Sequence, residues 1–218
     1  MRLFIVLVLF FGISLTSCKK YKLKQPAYLS LHWNFFNEDP AVSKIDITGG
    51  YFYLDRLEVH GVREEGPDVE IEQGILPEKI SFDGGGSLGL SIDVPVGNYT
   101  NFNMDLSVVN DTKPSMTLYA LFDKGEIQIP VRVEWSTKKI MSFSPGQTFE
   151  LNKKNNYDMT LGIDAAVILA GITPHDWSEA GIAMENGVPT IVVTENVNHD
   201  IFFKIDQNLT QALKLEIK

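Results

Sequence analysis

Apolar and polar residues alternate with a period of two over much of the segment 27–163. Successive side chains of a β-strand point to opposite faces, so this alternation predicts strands with one face buried. The first such strand has its apolar side chains at Leu29, Leu31, Trp33 and Phe35. Later segments repeat the pattern, with apolar side chains at Leu88, Leu90, Ile92 and Val94, at Phe102, Met104, Leu106 and Val108, at Ile127, Ile129, Val131, Val133 and Trp135, and at Tyr157, Met159, Leu161 and Ile163.

The segment 51–62 is also predicted to be a strand, but its apolar phase changes partway along. Apolar side chains lie on even positions up to Leu54 and on odd positions from Leu57 onward. One extra residue in a strand produces such a change, because it inverts the face on which every later side chain lies. We therefore predict a β-bulge near Asp55 and Arg56.

Turn-forming residues separate the predicted strands. Asp123–Gly125 lies between two apolar runs, Ser144–Gln147 fits a type II turn, and Asp83–Gly86 is expected to be a loop. Many short strands punctuated by Gly and Pro are typical of an antiparallel sandwich. We predict a mainly β fold, an antiparallel β-sandwich, formed by a single domain over residues 27–218.

The last quarter of the chain loses the period of two and is predicted to contain short helices over about residues 164–212. Asp164 is expected to cap a first helix that Gly171 ends. Thr173 is expected to cap a second helix, with Pro174 at its first position.

The second predicted helix extends to Gly187 and has one shared face, formed by Trp177, Gly181 and Met184. A short strand is expected over residues 190–194. Asn198 begins a third helical stretch, in which apolar residues four apart are Ile201, Ile205 and Leu209. The alternation of residues 213–217 favours a final strand, although helix and strand both remain open over residues 209–218.

Residues 1–17 have the features of a secretory signal peptide. Arg2 is followed by an apolar run from Leu3 to Ile13 and then by small polar residues. As a helix, this run is too short to cross a hydrocarbon core about 30 Å thick. We expect the segment to direct export and then to be removed.

The sequence Leu15-Thr16-Ser17-Cys18 resembles the bacterial lipobox. The resemblance implies that the Cys18 sulfur receives a diacylglyceryl group and that cleavage leaves Cys18 as the first residue. Cys18 is the only cysteine of the chain, so no disulfide is expected. Two acyl chains are enough for stable attachment, so the expected partner is a lipid bilayer, reached through the lysine-rich tether of residues 18–26.

Composition limits the remaining partners. The formal net charge is −9, and the tether is the one basic cluster of the sequence. Binding of nucleic acid requires clustered Lys and Arg on a folded surface, so no nucleic-acid partner is expected. Hydrophobic residues make up 44% of the chain, which is typical of a globular protein.

The segment from Val94 to Thr100 carries a resemblance to a known family. Its sequence, VPVGNYT, resembles a motif that joins two core strands in prealbumin-like and fimbrillin-like lipoproteins of the Bacteroidota. With the lipobox and the strand 51–62, the chain is similar to uncharacterised DUF4382-type lipoproteins of that group. The resemblance implies a prealbumin-like or Ig-like Greek-key sandwich and a location in the cell envelope, and it implies no activity.

The tether refines the expected location. In those bacteria an acidic run after the lipidated cysteine is associated with export to the outer face, whereas residues 19–24 are lysine-rich. We therefore expect attachment to the outer membrane on its periplasmic side, with display at the cell surface as the alternative.

No catalytic or cofactor motif accompanies these features. His32, His60, His175 and His199 fall in no metal-binding spacing, so neither a metal nor another cofactor is expected. The pairs His175-Asp176 and His199-Asp200 are interpreted as parts of helix starts. The densest anionic stretch is interpreted as a solvated loop, with calcium binding as the alternative. Its acids are Glu64, Glu65, Asp68, Glu70 and Glu72.

Tyr51 and Tyr53 are candidates for stacking against a ligand. They alternate with Phe52 and Leu54 on one strand, so one of these two pairs faces solvent. The other aromatic residues considered, Trp33, Trp135 and Trp177, are better explained by core packing.

Three functions remain open after the sequence. The first is a membrane-anchored module that binds a glycan or another envelope protein, or that has a structural role. The second is a fimbrillin-like pilus subunit or anchor. The third is an envelope hydrolase. The missing catalytic motif favours a protein that is not an enzyme, and hence the first function.

Overall fold

The computed structural model describes residues 26–36, 44–83, 85–109, 114–153 and 155–218. The predicted signal peptide 1–17, Cys18 and the tether up to Gln25 lie outside these residues. The fold is mainly β, as predicted. The strands are β1 Ala27–Phe36, β2 Ile45–Arg63, β3 Val69–Phe82, β4 Gly85–Val94, β5 Gly97–Val108, β6 Met116–Asp123, β7 Gln128–Trp135, β8 Lys139–Phe143, β9 Phe149–Leu151, β10 Asn156–Asp164, β11 Ile182–Glu185, β12 Val188–Val193 and β13 Leu213–Ile217. The helices are α1 Ala165–Ile168, α2 Pro174–Glu179 and α3 His199–Ala212.

The strands form two sheets. The first has the order β13-β10-β1-β4, and the second has the order β11-β12-β7-β6-β2-β5-β8, with β3 also paired to β2 and β9 to β5. Two pairs, β1 with β10 and β7 with β12, are parallel, and the other pairs are antiparallel. The prediction of a wholly antiparallel arrangement is therefore wrong at these two pairs. Two parallel strands need a long connection between them. This condition is met here, because β10 lies far along the chain from β1, and β12 lies far along the chain from β7.

Trp33 of β1 lies where the two sheets meet. Its side chain is 1% exposed and stacks on Phe82 of β3, with ring centres 4.7 Å apart. The ring centres of Phe52 in β2 and Phe143 in β8 lie 5.5 and 6.3 Å away. The apolar faces of both sheets therefore contribute to one core, which the alternation of β1 predicts.

The bulge predicted in β2 is confirmed. The register of β2 shifts between Leu54 and Arg56 against both of its neighbours, β3 and β5. Phe52 and Leu54 are buried before the bulge, and Leu57 and Val59 are buried after it. The extra residue thus keeps one long strand facing the core on both sides of the irregularity.

The corner between β4 and β5 has the structure that its sequence predicts. Pro95 and Val96 separate the two strands, and Tyr99 enters β5 fully buried. The Tyr99 hydroxyl donates a hydrogen bond to the Pro95 carbonyl oxygen, and its ring stacks on Phe149 with centres 5.4 Å apart. A side chain at Gly61 would clash with the Tyr99 ring, because its Cβ would lie 2.5 Å from it. Burial raises the pKa of Tyr99 to about 12.

The first two helices begin as predicted. The Asp164 side chain accepts a hydrogen bond from the Val167 amide at the start of α1. Thr173 and Asp176 form a reciprocal capping box at the start of α2, with Pro174 in its first turn. Local side-chain chemistry therefore fixes both helix starts.

The second predicted helix is too long. It ends at Glu179, and the following residues form the hairpin of β11 and β12. Asn186 and Gly187 both have positive φ, at 50° and 84°, as the tight turn between two antiparallel strands requires. Met184 is not on a helix face but in a strand, where it is 68% exposed. Asn-Gly is a preferred sequence for such turns. Its preference prevails here over the helical spacing of Trp177, Gly181 and Met184.

The third helix and the final strand are confirmed. α3 buries Ile201, Ile205 and Leu209, and it passes directly into β13, which pairs with β10. The choice left open for residues 209–218 is resolved as helix up to Ala212 and strand after it. The side chain of Asp206 accepts hydrogen bonds from the Trp135 indole and from Lys139, which ties the helix to the second sheet.

We expect the substitution Tyr99→Phe to change how stability depends on pH. An unfolded tyrosine ionises near pH 10, whereas Tyr99 in the fold ionises near pH 12. Between these values the unfolded chain binds fewer protons than the folded chain, so the free energy of unfolding falls as pH rises. Tyr99→Phe should lower stability at neutral pH by about 1 kcal/mol, through loss of a hydrogen bond, and should flatten this alkaline decline.

Chemical denaturation between pH 7 and 12 would measure both effects. Tyr28→Phe is the matched control, because Tyr28 is 47% exposed. Equal alkaline slopes for Tyr99→Phe and the unsubstituted protein would contradict the expectation.

We expect Asp164→Ala to lower the free energy of unfolding by about 2 kcal/mol. The substitution removes the cap of α1 and the ion pair between Asp164 and Lys214. Lys214→Met removes the ion pair alone and should cost less. Urea denaturation gives both values, and Asp158→Ala, at an exposed position of the same strand, should have a smaller effect than Asp164→Ala. A loss for Asp164→Ala no greater than that of this control would be inconsistent with the structure.

Candidate functional site

The outer face of β2 carries the two tyrosines that the sequence singles out. Phe52 and Leu54 point into the core and are fully buried, whereas Tyr51 and Tyr53 lie on the opposite face and are partly exposed. The pair that faces solvent is therefore the tyrosine pair. Their rings are in edge-to-face contact, with centres 5.7 Å apart and an angle of 85° between the planes.

Tyr119 of β6 extends this aromatic surface. It is 41% exposed, and its ring centre lies 6.2 Å from that of Tyr51. Sequence reasoning missed Tyr119, although the alternation within β6 points to it, because Leu118 and Ala120 on either side are buried. Tyr53, Tyr51 and Tyr119 together form what we call the tyrosine row.

Charged groups lie beside the tyrosine row, at Tyr51 and at Tyr119. The Lys79 ammonium lies 4.2 Å from the centre of the Tyr51 ring, within range of a cation–π interaction. Arg132, in register with Tyr119, forms a two-pronged ion pair with Glu185 at 2.6 and 2.7 Å. Its Nε atom lies 2.8 Å from Glu134. The row therefore combines apolar ring faces with donors and acceptors fixed beside them.

A buried polar atom beside the row, the Thr117 hydroxyl, has no hydrogen-bond partner among the described residues. Thr117 lies in register between Tyr51 and Glu134, is 0% exposed, and its Oγ1 makes no hydrogen bond to any described residue. Buried hydroxyls are usually hydrogen-bonded, so this atom departs from the usual pattern. Partial burial, together with the neighbouring Tyr51, raises the pKa of Tyr119.

The two His-Asp pairs come together in a separate cleft. His175, Asp176, His199 and Asp200 line a hollow of about 370 Å³ between α2 and the start of α3. The capping interpretation is confirmed for Asp176, whose carboxylate accepts hydrogen bonds from the Thr173 amide and hydroxyl and from Lys204. These bonds, the Thr173 amide first, lower the pKa of Asp176 to about 2. A carboxylate held ionised in this way is poorly suited to act as a general acid or base near neutral pH.

The acidic stretch is not wholly a loop. Glu64, Glu65 and Asp68 lie between β2 and β3, but Glu70 and Glu72 lie within β3. The loop interpretation is therefore wrong for these last two, because β-pairing continues to Val69 at the start of β3. Both are thereby placed beside polar side chains of β2 that are distant in the sequence.

Within the described ranges, no helix combines the length and the apolar character needed to cross a membrane. Comparisons of the chain with models of protein families, with curated proteins and with solved structures found no match. The resemblance to fimbrillin-like lipoproteins therefore stays a prediction from the residues that carry it.

Proposed function

We propose that this protein is a lipid-anchored binding module of the bacterial envelope, and that it binds a carbohydrate on the tyrosine row. The observation that carries the proposal is the row itself, in which three partly exposed tyrosines contact one another on the outer face of adjacent strands. Exposed aromatic clusters on a folded surface mark sites of interaction.

A carbohydrate fits the chemistry of this face. The apolar C–H surface of a sugar ring can pack on a tyrosine face, while its hydroxyls need donors and acceptors close by. Tyrosine offers both an apolar ring and a polar hydroxyl. Lys79 and Glu134 provide further polar groups beside the row. The row lies on paired strands, so its spacing is fixed before a ligand binds, which lowers the entropic cost of binding.

The anchor proposed for the module is a lipid on Cys18. The lipobox residues Leu15-Thr16-Ser17-Cys18 support it. Nine residue steps separate Cys18 from Ala27 at the start of β1, so an extended tether reaches at most about 30 Å. The row lies on the outer face of β2 and β6, two adjacent strands of the second sheet. The lysine-rich residues 19–24 support attachment to the outer membrane on its periplasmic side.

For the fold we propose a prealbumin-like or Ig-like Greek-key sandwich. Tyr99 supports it, because a buried tyrosine whose hydroxyl bonds to the backbone four residues earlier resembles the tyrosine corner of Ig-like domains. Trp33, packed between the two sheets, is consistent with the buried tryptophan of such sandwiches.

A second candidate function, the pilus subunit or anchor, has one observation in its favour. β11 lies at the end of the strand order of the second sheet, and its side chains Ile182 and Met184 are 49% and 68% exposed. An exposed apolar edge strand can accept a strand from another chain. Concentration-dependent assembly of the mature chain, without any glycan binding, would favour this candidate over the first.

We expect Tyr51→Ala and Tyr53→Ala each to weaken glycan binding by about tenfold or more, the equivalent of about 1.4 kcal/mol for a lost stacking contact. The mature chain is first screened on a glycan array, and the retained glycan is then titrated by calorimetry. Tyr28→Ala is the matched control, since Tyr28 is an exposed tyrosine of the other sheet. Retention of no glycan, or equal affinity in all three variants, would reject the proposed site.

We expect the native protein to begin at Cys18 and to carry a lipid on its sulfur. Mass spectrometry of the amino-terminal peptide from membranes gives both the first residue and the added mass. Cys18→Ser should abolish the modification and release the protein from the membrane fraction. A free thiol at Cys18, or a mature terminus at another residue, would refute the anchor.

A further inference from the structure

Three neighbouring strands bring six polar side chains together on the outer face of the second sheet, beyond the bulge of β2. The register aligns Glu72 of β3, Glu58 of β2 and Asp105 of β5 in one row. The adjacent row consists of Glu70, His60 and Asn103. We call these six residues the polar grid. Residues paired directly across strands point to the same face, so all six project outward from the core.

Three members of the polar grid converge on one point. The carboxylates of Glu58 and Asp105 and a ring nitrogen of His60 have ligand atoms that all lie within 4.8 Å of one another. In tetrahedral zinc sites each bond to N or O is about 2.0 to 2.2 Å long, so ligand atoms lie roughly 3.4 Å apart. Small side-chain rotations would bring these three atoms to that spacing, because the paired strands already fix their backbones.

We propose that Glu58, His60 and Asp105 form a binding site for a divalent transition-metal ion, with zinc as the best fit. The imidazole ligand favours zinc, copper or nickel over calcium or magnesium, which prefer oxygen alone. Three protein ligands leave one tetrahedral position for water or for an oxygen or nitrogen of a partner. A hollow of about 130 Å³ lies on one side of His60 and is lined also by Asn101 and Asn103.

The surroundings of the three ligands suit such an ion. The Asn103 amide donates a hydrogen bond of 2.6 Å to Asp105 Oδ1, which orients that carboxylate as supporting residues do in metal sites. Glu70 and Glu72 add negative charge from the neighbouring strand. Both features strengthen the attraction for a cation at the centre of the grid.

One cation of the chain competes for the same place. Arg56 Nη1 lies 3.1 Å from Glu58 Oε1 and 3.1 Å from Glu72 Oε1. A bound metal must therefore share Glu58 with Arg56 or displace it. Arg56→Gln reports this competition. His60→Ala distinguishes a built site from general attraction of zinc to an acidic surface, because it removes a ligand without removing any negative charge.

The site is separate from the tyrosine row. Tyr53 and Glu58 lie on the same strand, but the bulge between Leu54 and Arg56 stands between them. Metal binding by the polar grid therefore does not depend on the proposed carbohydrate site, and either proposal can fail alone.

The test is a calorimetric titration of the mature chain with Zn²⁺ in a buffer free of chelators. We expect one ion per chain. His60→Ala and Asp105→Asn should each weaken zinc binding by at least about tenfold. Arg56→Gln should strengthen it by about threefold, because a surface ion pair that competes with the metal is lost. His32→Ala is the matched control, because His32 also faces a carboxylate, that of Asp158 at 3.2 Å, but lies on the other sheet.

Two further measurements separate loss of the site from loss of the fold. Circular dichroism of each metal-free variant should match that of the unsubstituted protein. In NMR spectra, zinc should shift the imidazole resonances of His60 and leave those of His32 unchanged. Unchanged affinity in His60→Ala, weaker binding in Arg56→Gln, or equal shifts at both histidines would overturn the proposal and leave only adventitious binding.

Discussion

The contact of Trp33 with the phenylalanines of the second sheet is the interaction on which the rest of the structure depends. Trp33 comes from the first sheet, and Phe52 and Phe82 come from β2 and β3, two paired strands of the second. Burial of such large rings is a dominant favourable term in folding. It also has a cost, since the indole Nε1 of Trp33 finds no hydrogen-bond partner among the described residues. This indole N–H is therefore left without a partner among the described residues where the two sheets meet.

This core determines where functional side chains can lie. Because the inner face of β2 must cover Trp33, its outer face is left for polar and aromatic residues. The bulge between Leu54 and Arg56 divides that outer face in two. The tyrosine row lies before the bulge and the polar grid lies after it, so one long strand supports two surfaces of different chemistry. The extra residue keeps both surfaces outward while the strand remains apolar toward the core.

In the cleft that holds the two His-Asp pairs, side chains of the types found in catalytic sites are used to cap and join helices. Asp176 has the residue type of a catalytic group and lies beside His175, yet its oxygens are engaged by Thr173 and Lys204. These bonds cap α2 and join it to α3, and they hold the carboxylate ionised. Asn198 likewise bonds to the backbone of Gly181 and so fixes the approach of the two helices. The side chains that line the cleft therefore also hold the junction between α2 and α3.

The sequence by itself determined the features that depend on near neighbours. The strands with clear alternation, such as β1, β5 and β7, the bulge near Arg56, and the caps at Asp164 and Thr173 follow from the spacing of adjacent side chains and from their bonds to the local backbone. β3 and β11, which lack this alternation, did not follow from it. Only the tertiary structure decided which strands pair, because pairing depends on contacts between segments that are distant in the chain. It alone placed Tyr119 beside the tyrosine pair and Asp105 beside His60. Neighbouring strands of one sheet can bring such side chains together on one face, although the residues form no motif in the sequence.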